Sequence, residues 1–395
     1  MEHNPRVIEL GSLSRAMRAM GDVDPSQADA ADRMYGRVRR AIRLDALTED
    51  EGAALRQEAQ ALGAVVIDGR IGSGGTAPRI VVSDDETLKR LGSGLESRGL
   101  KSMGAAVRLT LAAYERTAFT IAFADGDRMD LAAETRVMGI LNVTPDSFSD
   151  GGALPNPQAA VEAAARLADE GADLIDVGGE STRPGAMPVT EDEEIRRVVP
   201  VVQAIKRDLP LRVSVDTSKA KVARLAIEAG ADLVNDVSAF TDPAMLAALR
   251  GSRTPVVVMH RRGTARTMQH DTAYVDLLSS IVGFLRKRIE AAASAGIPDD
   301  KILVDPGLGF GKSATGNLQI LRELATLRSV GRPIVVGASR KSFIGTALDL
   351  PVDERLEGGL AIAAWAAWQG AQVIRTHDVA ETKRTTRMID AIRRT

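Results

Sequence analysis

The pattern of apolar and polar positions changes once along the chain, near residue 116. Before that point, residues 26–43 carry apolar side chains at helical spacing (Ala28, Ala31, Met34, Val38, Ile42). Thr48, with Glu51 three positions on, has the capping-box pattern ahead of Ala54, Leu55, Ala59 and Leu62. Short strands are expected at 64–67 and 80–82, on either side of a flexible glycine-rich loop at 69–77. Asp84 and Asp85 then open a helix towards Leu95. Residues 1–116 therefore read as a small α/β domain, and nothing in its pattern states a role.

From Phe119 the pattern shortens. Segments 119–123 and 129–131, joined through Asp125-Gly126-Asp127, carry a β-hairpin signal with glycine at the turn. After it, short apolar runs alternate with amphipathic stretches to the end of the chain. Strands are expected at 137–143, 174–178, 213–216, 233–236, 256–260, 302–305, 334–337 and 373–377. Helices are expected at 157–170, 191–207, 219–229, 273–293, 318–327 and 359–368. Eight strands joined by right-handed crossovers over roughly 260 residues have the size of a closed (β/α)₈ TIM barrel. An open doubly wound sheet is the alternative, and it is disfavoured because no Gly-x-Gly-x-x-Gly follows the first strand.

Almost every expected strand ends in a polar side chain: Asn142; Glu180 to Arg183; Asp216 to Lys219; Asn235 and Asp236; His260; Asp305; Ser339 to Lys341; Arg375 to His377. Taken singly, Ser218 and Asp236 read as helix caps, and each carboxylate as half of a salt bridge. Eight in phase is a different observation, because in a barrel these ends gather on the rim where the catalytic groups of this fold collect.

Composition narrows the chemistry. The chain has 395 residues, enough for about two domains, and 44% hydrophobic against 26% charged residues is an ordinary globular balance. With 51 basic and 53 acidic residues and 3% aromatics, neither charge nor stacking surfaces favour nucleic acid or an anionic membrane. There is no cysteine, which excludes disulfides, thiolate nucleophiles and cysteine-based metal sites and fits a reducing compartment. No signal segment opens the chain, and no run reaches the ~18 apolar residues of a membrane span, so a soluble cytoplasmic protein is expected.

The strand-end residues divide by chemistry. Asn142, Thr182, Arg183, Arg375 and His377 supply donors, fixed positive charge and an amide oxygen, a set suited to a polyphosphate with a hard cation on Asn142. Asp216, Asn235, Asp305 and Lys341 can satisfy a flat heterocycle with an amino-amide edge, with Met259 and Phe310 as its apolar walls. Gly311-Lys312-Ser313 looks like the end of a Walker loop, but the first required glycine falls at Pro306, so no nucleotide loop is assigned. The glycines there let backbone pass close to a flat ligand. His3 lies in a loose terminus, and neither it nor His270 marks a strand end; no zinc-like cluster is present in the sequence. The basic positions Lys383, Arg384, Arg387, Arg393 and Arg394 read as a solvated helix face.

Four segments, 138–152, 178–185, 305–312 and 339–341, together with Arg375-Thr-His377, closely resemble the dihydropteroate synthases among the pterin-binding barrels. The likeness covers about 117–395, preceded by the 1–116 domain that the minimal enzyme lacks. It implies a folate-pathway transferase joining 4-aminobenzoate to dihydropterin-hydroxymethyl pyrophosphate with Mg²⁺, a homodimer and a sulfonamide target. The resemblance places the pyrophosphate on Asn142, Thr182, Arg183, Arg375 and His377, with the metal on Asn142. It places the pterin on Asp216, Asn235, Met259, Asp305, Phe310, Gly337 and Lys341, and 4-aminobenzoate beside Phe148, Thr182, Pro184 and Ser339. Asp216, Asp305, Lys341, Arg375 and His377 are the expected catalytic groups. After Lys312 the chain reads Ser-Ala-Thr-Gly-Asn317, where many relatives have histidine before the asparagine.

Three other readings stay open at this point. A folate-to-corrinoid methyl transferase would use the ring-edge group without the anion cradle, and Arg375 and His377 weigh against it. A Schiff-base aldolase would use Lys341 or Lys219. A non-catalytic member would use the first domain as an interaction module.

Overall fold

The computed structural model describes residues 3–9, 40–71, 74–143, 156–181, 183 and 185–395. They form two compact units.

The first unit is Met1–Arg116 with two segments from later in the chain, Leu278–Arg286 and Glu323–Gly331. Its antiparallel sheet runs β1 (Arg6–Glu9), β2 (Arg40–Leu47), β4 (Ala77–Ser83), β3 (Val65–Asp68). Three helices accompany the sheet: α1 (Glu49–Ala61), α2 (Asp85–Ser97) and α3 (Lys101–Glu115). Thr48 and Glu51 form the expected capping box, Thr48 N donating to Glu51 Oε2 at 2.8 Å. Asp84 caps α2 by accepting from Thr87 N at 2.8 Å. The helix expected over 26–43 fails at its end, because residues 40–43 belong to β2; residues 26–39 lie outside the described set. Here Ala41, Ile42 and Leu44 are buried in a strand paired on both edges, by β1 and by β4. A central strand buries consecutive residues and so carries no clean period of two. His3 is tied down rather than loose, with Nε2 3.2 Å from Glu51 Oε1.

The second unit opens with the hairpin β5 (Thr120–Ala122) and β6 (Arg128–Asp130), Gly126 turning it at φ +92°. Eight parallel strands follow: β7 (Arg136–Asn142), β8 (Leu174–Gly178), β9 (Val213–Asp216), β10 (Leu233–Asp236), β11 (Val256–Met259), β12 (Ile302–Asp305), β13 (Val335–Gly337) and β14 (Val373–Thr376). They pair in the order β12-β11-β10-β9-β8-β7-β14-β13, and the bridge Val304↔Ile334 joins the two ends, closing the barrel. The linking helices are α4 (Pro157–Asp169), α5 (Glu191–Asp208), α6 (Ala220–Glu228), α7 (Ala244–Ser252), α8 (Leu277–Ser294), α9 (Ala314–Arg322), α10 (Ser342–Leu348), α11 (Leu356–Trp368) and α12 (Val379–Arg394). The helix expected at 318–327 is α9 followed by a 3₁₀ turn from Leu324.

Period-two alternation sends one residue in two to the barrel axis. Met138, Leu174, Leu233, Val257, Leu303, Val335 and Val373 form one apolar layer with Phe119, Ile121, Phe123 and Leu131 of the hairpin, which caps that end of the barrel. Arg212 pins the hairpin by gripping Asp125 at 2.7 Å and Asp127 at 2.6 Å. The opposite end is left for polar side chains.

Candidate active site

The inward positions one step beyond the apolar layer are Asp176, Asp216, Asn235, Met259, Asp305 and Arg375. All but Arg375 are buried, Asp176 fully. Arg375 organises the group. Its Nε donates to Asp176 Oδ2 at 2.6 Å and its Nη2 to Asp216 Oδ2 at 2.8 Å. Asn235 Nδ2 donates to the same Asp176 oxygen at 3.0 Å. Gly337, paired with Arg375 in the sheet, leaves room for the arginine stem: a methyl there would sit 3.6 Å from Arg375 Cβ. Gly178 does the same between Asn142 and Asp216, where a methyl would lie 3.9 Å from Asn142 Oδ1 and 3.8 Å from Asp216 Oδ2.

Burial sets the charges. It pushes the Asp216 carboxyl well above its ordinary value, with Asp176 nearby adding to the rise and Arg375 opposing it. Asp305 is also raised by burial, against the pull of Lys341 and of the Gly307 N–H, which it accepts at 2.6 Å. Lys341 is pulled down to about 8, chiefly by burial. Its ammonium donates to Leu308 O and lies 4.6 Å from the centre of the Phe310 ring. Phe310 belongs to one apolar cluster with Met259, Val237 and Met268.

The loop after β12 is held by Lys312, whose ammonium spends all three protons on backbone oxygens: His260 at 3.1 Å, Gly307 at 2.8 Å and Phe310 at 2.9 Å. This lysine's hydrogen bonds all go to the loop and its neighbour strand end. His260 itself follows the end of β11 and is buried neutral, its pKa lowered to about 2.

His377 follows β14, with Nδ1 3.1 Å from Ser339 Oγ. Burial first, then Arg375 and Arg340, lower its pKa to about 4, so it is neutral near pH 7. Arg183, exposed, adds to that lowering, which places its charge near His377. Thr182, Pro184 and Phe148 lie outside the described residues.

Two expectations are corrected. Neither Ser218 nor Asp236 caps a helix: α6 begins at Ala220, with Lys219 at its N-cap and no side-chain cap bond. Asp236 instead accepts from Ser238 N at 2.8 Å and Phe240 N at 2.6 Å, bracing a turn in which Ala239 and Phe240 have positive φ. Arg375, expected on the anion, is bonded here to Asp216 of the ring group and to Asp176. Asp176 was missed altogether. It is no strand-end residue: it sits two positions before Gly178, the last residue of β8, on the same inward face.

A family model described as "Pterin binding enzyme" matches residues 138–377. Dihydropteroate synthase of Escherichia coli K12 is 45% identical over 269 residues, covering 68% of this chain and 95% of that protein. The probable bifunctional folylpolyglutamate synthase/dihydropteroate synthase of Haloferax volcanii is 40% identical over 370 residues, 90% of this chain and 44% of the longer protein. That match extends well beyond the barrel into the first unit. Among solved structures, Yersinia pestis dihydropteroate synthase with a sulfonamide drug complex superimposes with a TM-score of 0.66 at 45% identity, over 70% of this chain and 100% of that one. Xanthomonas albilineans dihydropteroate synthase with 4-aminobenzoic acid gives 0.66 at 43% identity, over 71% and 100%.

Proposed function

The chain belongs to the dihydropteroate synthases, a family of pterin-binding enzymes, and from that premise we infer how its barrel mouth carries out the reaction. The enzyme is a transferase that condenses dihydropterin-hydroxymethyl pyrophosphate with 4-aminobenzoate, giving dihydropteroate and pyrophosphate in folate biosynthesis. The observation that carries the mechanistic reading is the Asp176–Arg375–Asp216 arrangement, which ties donors for an anion to acceptors for a ring edge within one buried layer.

A new C–N bond forms between the aryl amine and the pterin methylene, the C–O bond to the diphosphate breaks, and the amine's proton leaves to solvent or to the departing diphosphate. An aryl amine is neutral at pH 7 and attacks without a strong base. The demanding event is loss of the diphosphate, which leaves cationic character on the pterin. Asp305, Asp216 and Asn235 would hold the ring edge and stabilise that charge, with Met259 and Phe310 as apolar walls and Lys341 beside them. Arg183, Arg375, Asn142 and His377 would take the diphosphate. His377 contributes a hydrogen bond rather than a fixed charge. When Ser339 donates to Nδ1, Nε2 carries the proton and can donate to a phosphate oxygen. Thr182, Phe148 and Pro184 are proposed to line the 4-aminobenzoate side with Ser339, which is where sulfonamides would compete.

Among the described residues no group of three carboxylates or histidines could cage a metal. Asn142 offers a single half-buried amide oxygen, and Mg²⁺ characteristically keeps water and takes substrate phosphate oxygens, so the donor set fits an ion carried chiefly by the diphosphate. When bound, Mg²⁺ would neutralise charge on the leaving group.

A homodimer is proposed through the face shared by α9, α10 and α11. There Leu318, Leu348, Trp365 and Trp368 stand 43–53% exposed, as does Val352 just after α10. Trp365 is fixed in place by its Nε1 donating to Leu321 O at 2.6 Å. Large apolar side chains clustered at a surface mark protein contacts. No helix among the described residues is long and apolar enough to cross a membrane, and a cytoplasmic location is proposed. Residues 1–116 are proposed as an accessory domain. The reaction is tested by mixing purified protein, Mg²⁺, the pterin pyrophosphate and 4-aminobenzoate. Pyrophosphate release that depends on both substrates is expected, and its absence would end the reading.

A further inference from the structure

Asp176 lies at the middle of β8, fully buried, with Ile140 of β7 on one side and Ser214 of β9 on the other. One of its oxygens, Oδ2, accepts from Arg375 Nε at 2.6 Å and from Asn235 Nδ2 at 3.0 Å. The other, Oδ1, has no hydrogen-bond partner among the described residues, and neither does the buried Ser214 Oγ beside it. A carboxylate buried in a barrel is costly unless it is paired, and here the pairing is made by residues of strands on both sides of it.

The contacts have two consequences. With Nε given to Asp176 and Nη2 to Asp216, the guanidinium plane is set by two points, and Nη1 remains for a ligand. A carboxylate only accepts, so Asn235 must turn its NH₂ towards Asp176. That leaves the Asn235 carbonyl oxygen as an acceptor for a ring-edge amino group. A single oxygen thereby sets both which way the arginine faces and which end of the amide the ring meets.

We propose that Asp176 is a positioning residue that couples diphosphate binding to pterin binding by orienting Arg375 and Asn235 through one oxygen. It touches neither reacting atom. The proposal rests on the reaction assigned above, and wild-type turnover tests that assignment by itself. A failure of the wild type to make product would sink the assignment, whereas the variants address Asp176.

The experiment compares wild type with Asp176→Ala and Asp176→Asn, using steady-state kinetics for each substrate and calorimetric binding of inorganic pyrophosphate with Mg²⁺. In D176A, kcat/KM for the pterin substrate is expected to fall about a hundredfold and pyrophosphate to bind about tenfold more weakly, while KM for 4-aminobenzoate stays within about threefold. D176N keeps an accepting oxygen and loses the charge. It is expected to recover roughly tenfold of the kinetic loss and still bind pyrophosphate measurably more weakly than wild type. A folded D176A with wild-type kcat/KM overturns the proposal, and so do equal losses for both substrates with pyrophosphate binding unchanged. If D176A does not fold, D176N decides: wild-type pyrophosphate affinity in that variant overturns the coupling.

Discussion

Arg375 Nη2 stands 2.8 Å from Asp216 Oδ2, so a residue suited to gripping phosphate is bonded directly to one suited to reading a ring. The arginine is one-fifth exposed at most, and the carboxylates it joins are buried. Its side chain is shared between two acids before any substrate arrives. Its removal therefore does two separable kinds of damage.

Arg375→Ala is expected to lower turnover at least a hundredfold, the usual scale for losing a preorganised charge aimed at a leaving anion. It also leaves Asp176 and Asp216 buried without their shared cation, and such broken pairs cost about 3 kcal/mol or more. Urea unfolding of the variant against wild type checks the second effect, and saturating-substrate turnover the first. A variant with wild-type midpoint and wild-type rate would remove Arg375 from both accounts.

Lys341 predicts an alkaline limb. Burial brings its pKa from the usual 10.5 to about 8, with Arg375 adding to the fall and Asp305 opposing it. Above about pH 8 the ammonium over Phe310 loses its charge, and kcat/KM for the pterin substrate should fall. Loss of this proton does not itself weaken the fold. Between 8 and 10.5 the unfolded chain holds a proton on this lysine that the folded chain has given up, so this group's contribution makes the fold more stable as pH rises. Lys341→Arg should move the limb beyond pH 10. A limb left unchanged in that variant assigns it to another group.

The barrel was legible because its strands are short apolar runs, most of them ended or soon followed by a polar residue, and each lies within a residue or so of its expected place. The first unit was less so. Helix α3 begins at Lys101, with Leu100 at its N-cap and no side-chain cap bond, and it contains Gly104 beside Ala105 and Ala106, so neither its start nor its face announces itself. Strand β2 was hidden because burial on both edges removed its alternation. In the site, Asn142, Asp216, Asn235, Asp305 and Arg375 were found as residues at or near strand ends, and the structure brings them to one mouth. Asp176 required reading the inward face of β8 as a row (Leu174, Asp176, Gly178), in which a carboxylate among apolar neighbours is the signal. What a list of strand ends cannot supply is which residue bonds to which, such as the bonds from Arg375 to Asp176 and Asp216.

Gly307→Ala is expected to damage the ring side through the backbone. Gly307 has φ +67°, and a methyl on it would sit 2.0 Å from the carbonyl oxygen of His260. That oxygen cannot yield easily: His260 N donates to Asp305 O at 2.9 Å, and Lys312 donates to His260 O. The loop must shift, and with it the Gly307 N–H that Asp305 accepts. A loss of about 2 kcal/mol or more is expected in urea unfolding, together with a raised KM for the pterin substrate. Wild-type behaviour in both would show that the loop can relax without moving Asp305.

Acid stability isolates His260. The unfolded imidazole takes a proton near pH 6.5, while burial first and Lys312 second hold the folded one neutral down to about 2. Below 6.5 the unfolded state therefore binds one more proton at this site, and its contribution to stability falls as pH falls, by up to about 1.4 kcal/mol per unit. Asp216 and Asp305 act in the opposite sense: their carboxyls, raised by burial, take up protons in the folded state first and favour it as pH drops. The bulk pH profile mixes these signs, so a difference measurement is needed. The unfolding free energy of wild type minus that of His260→Gln removes the carboxylates common to both proteins. That difference is expected to shrink by about 2 kcal/mol between pH 6.5 and 4.5. A difference that is flat across the window would mean that the folded protein protonates His260 as readily as the unfolded chain does.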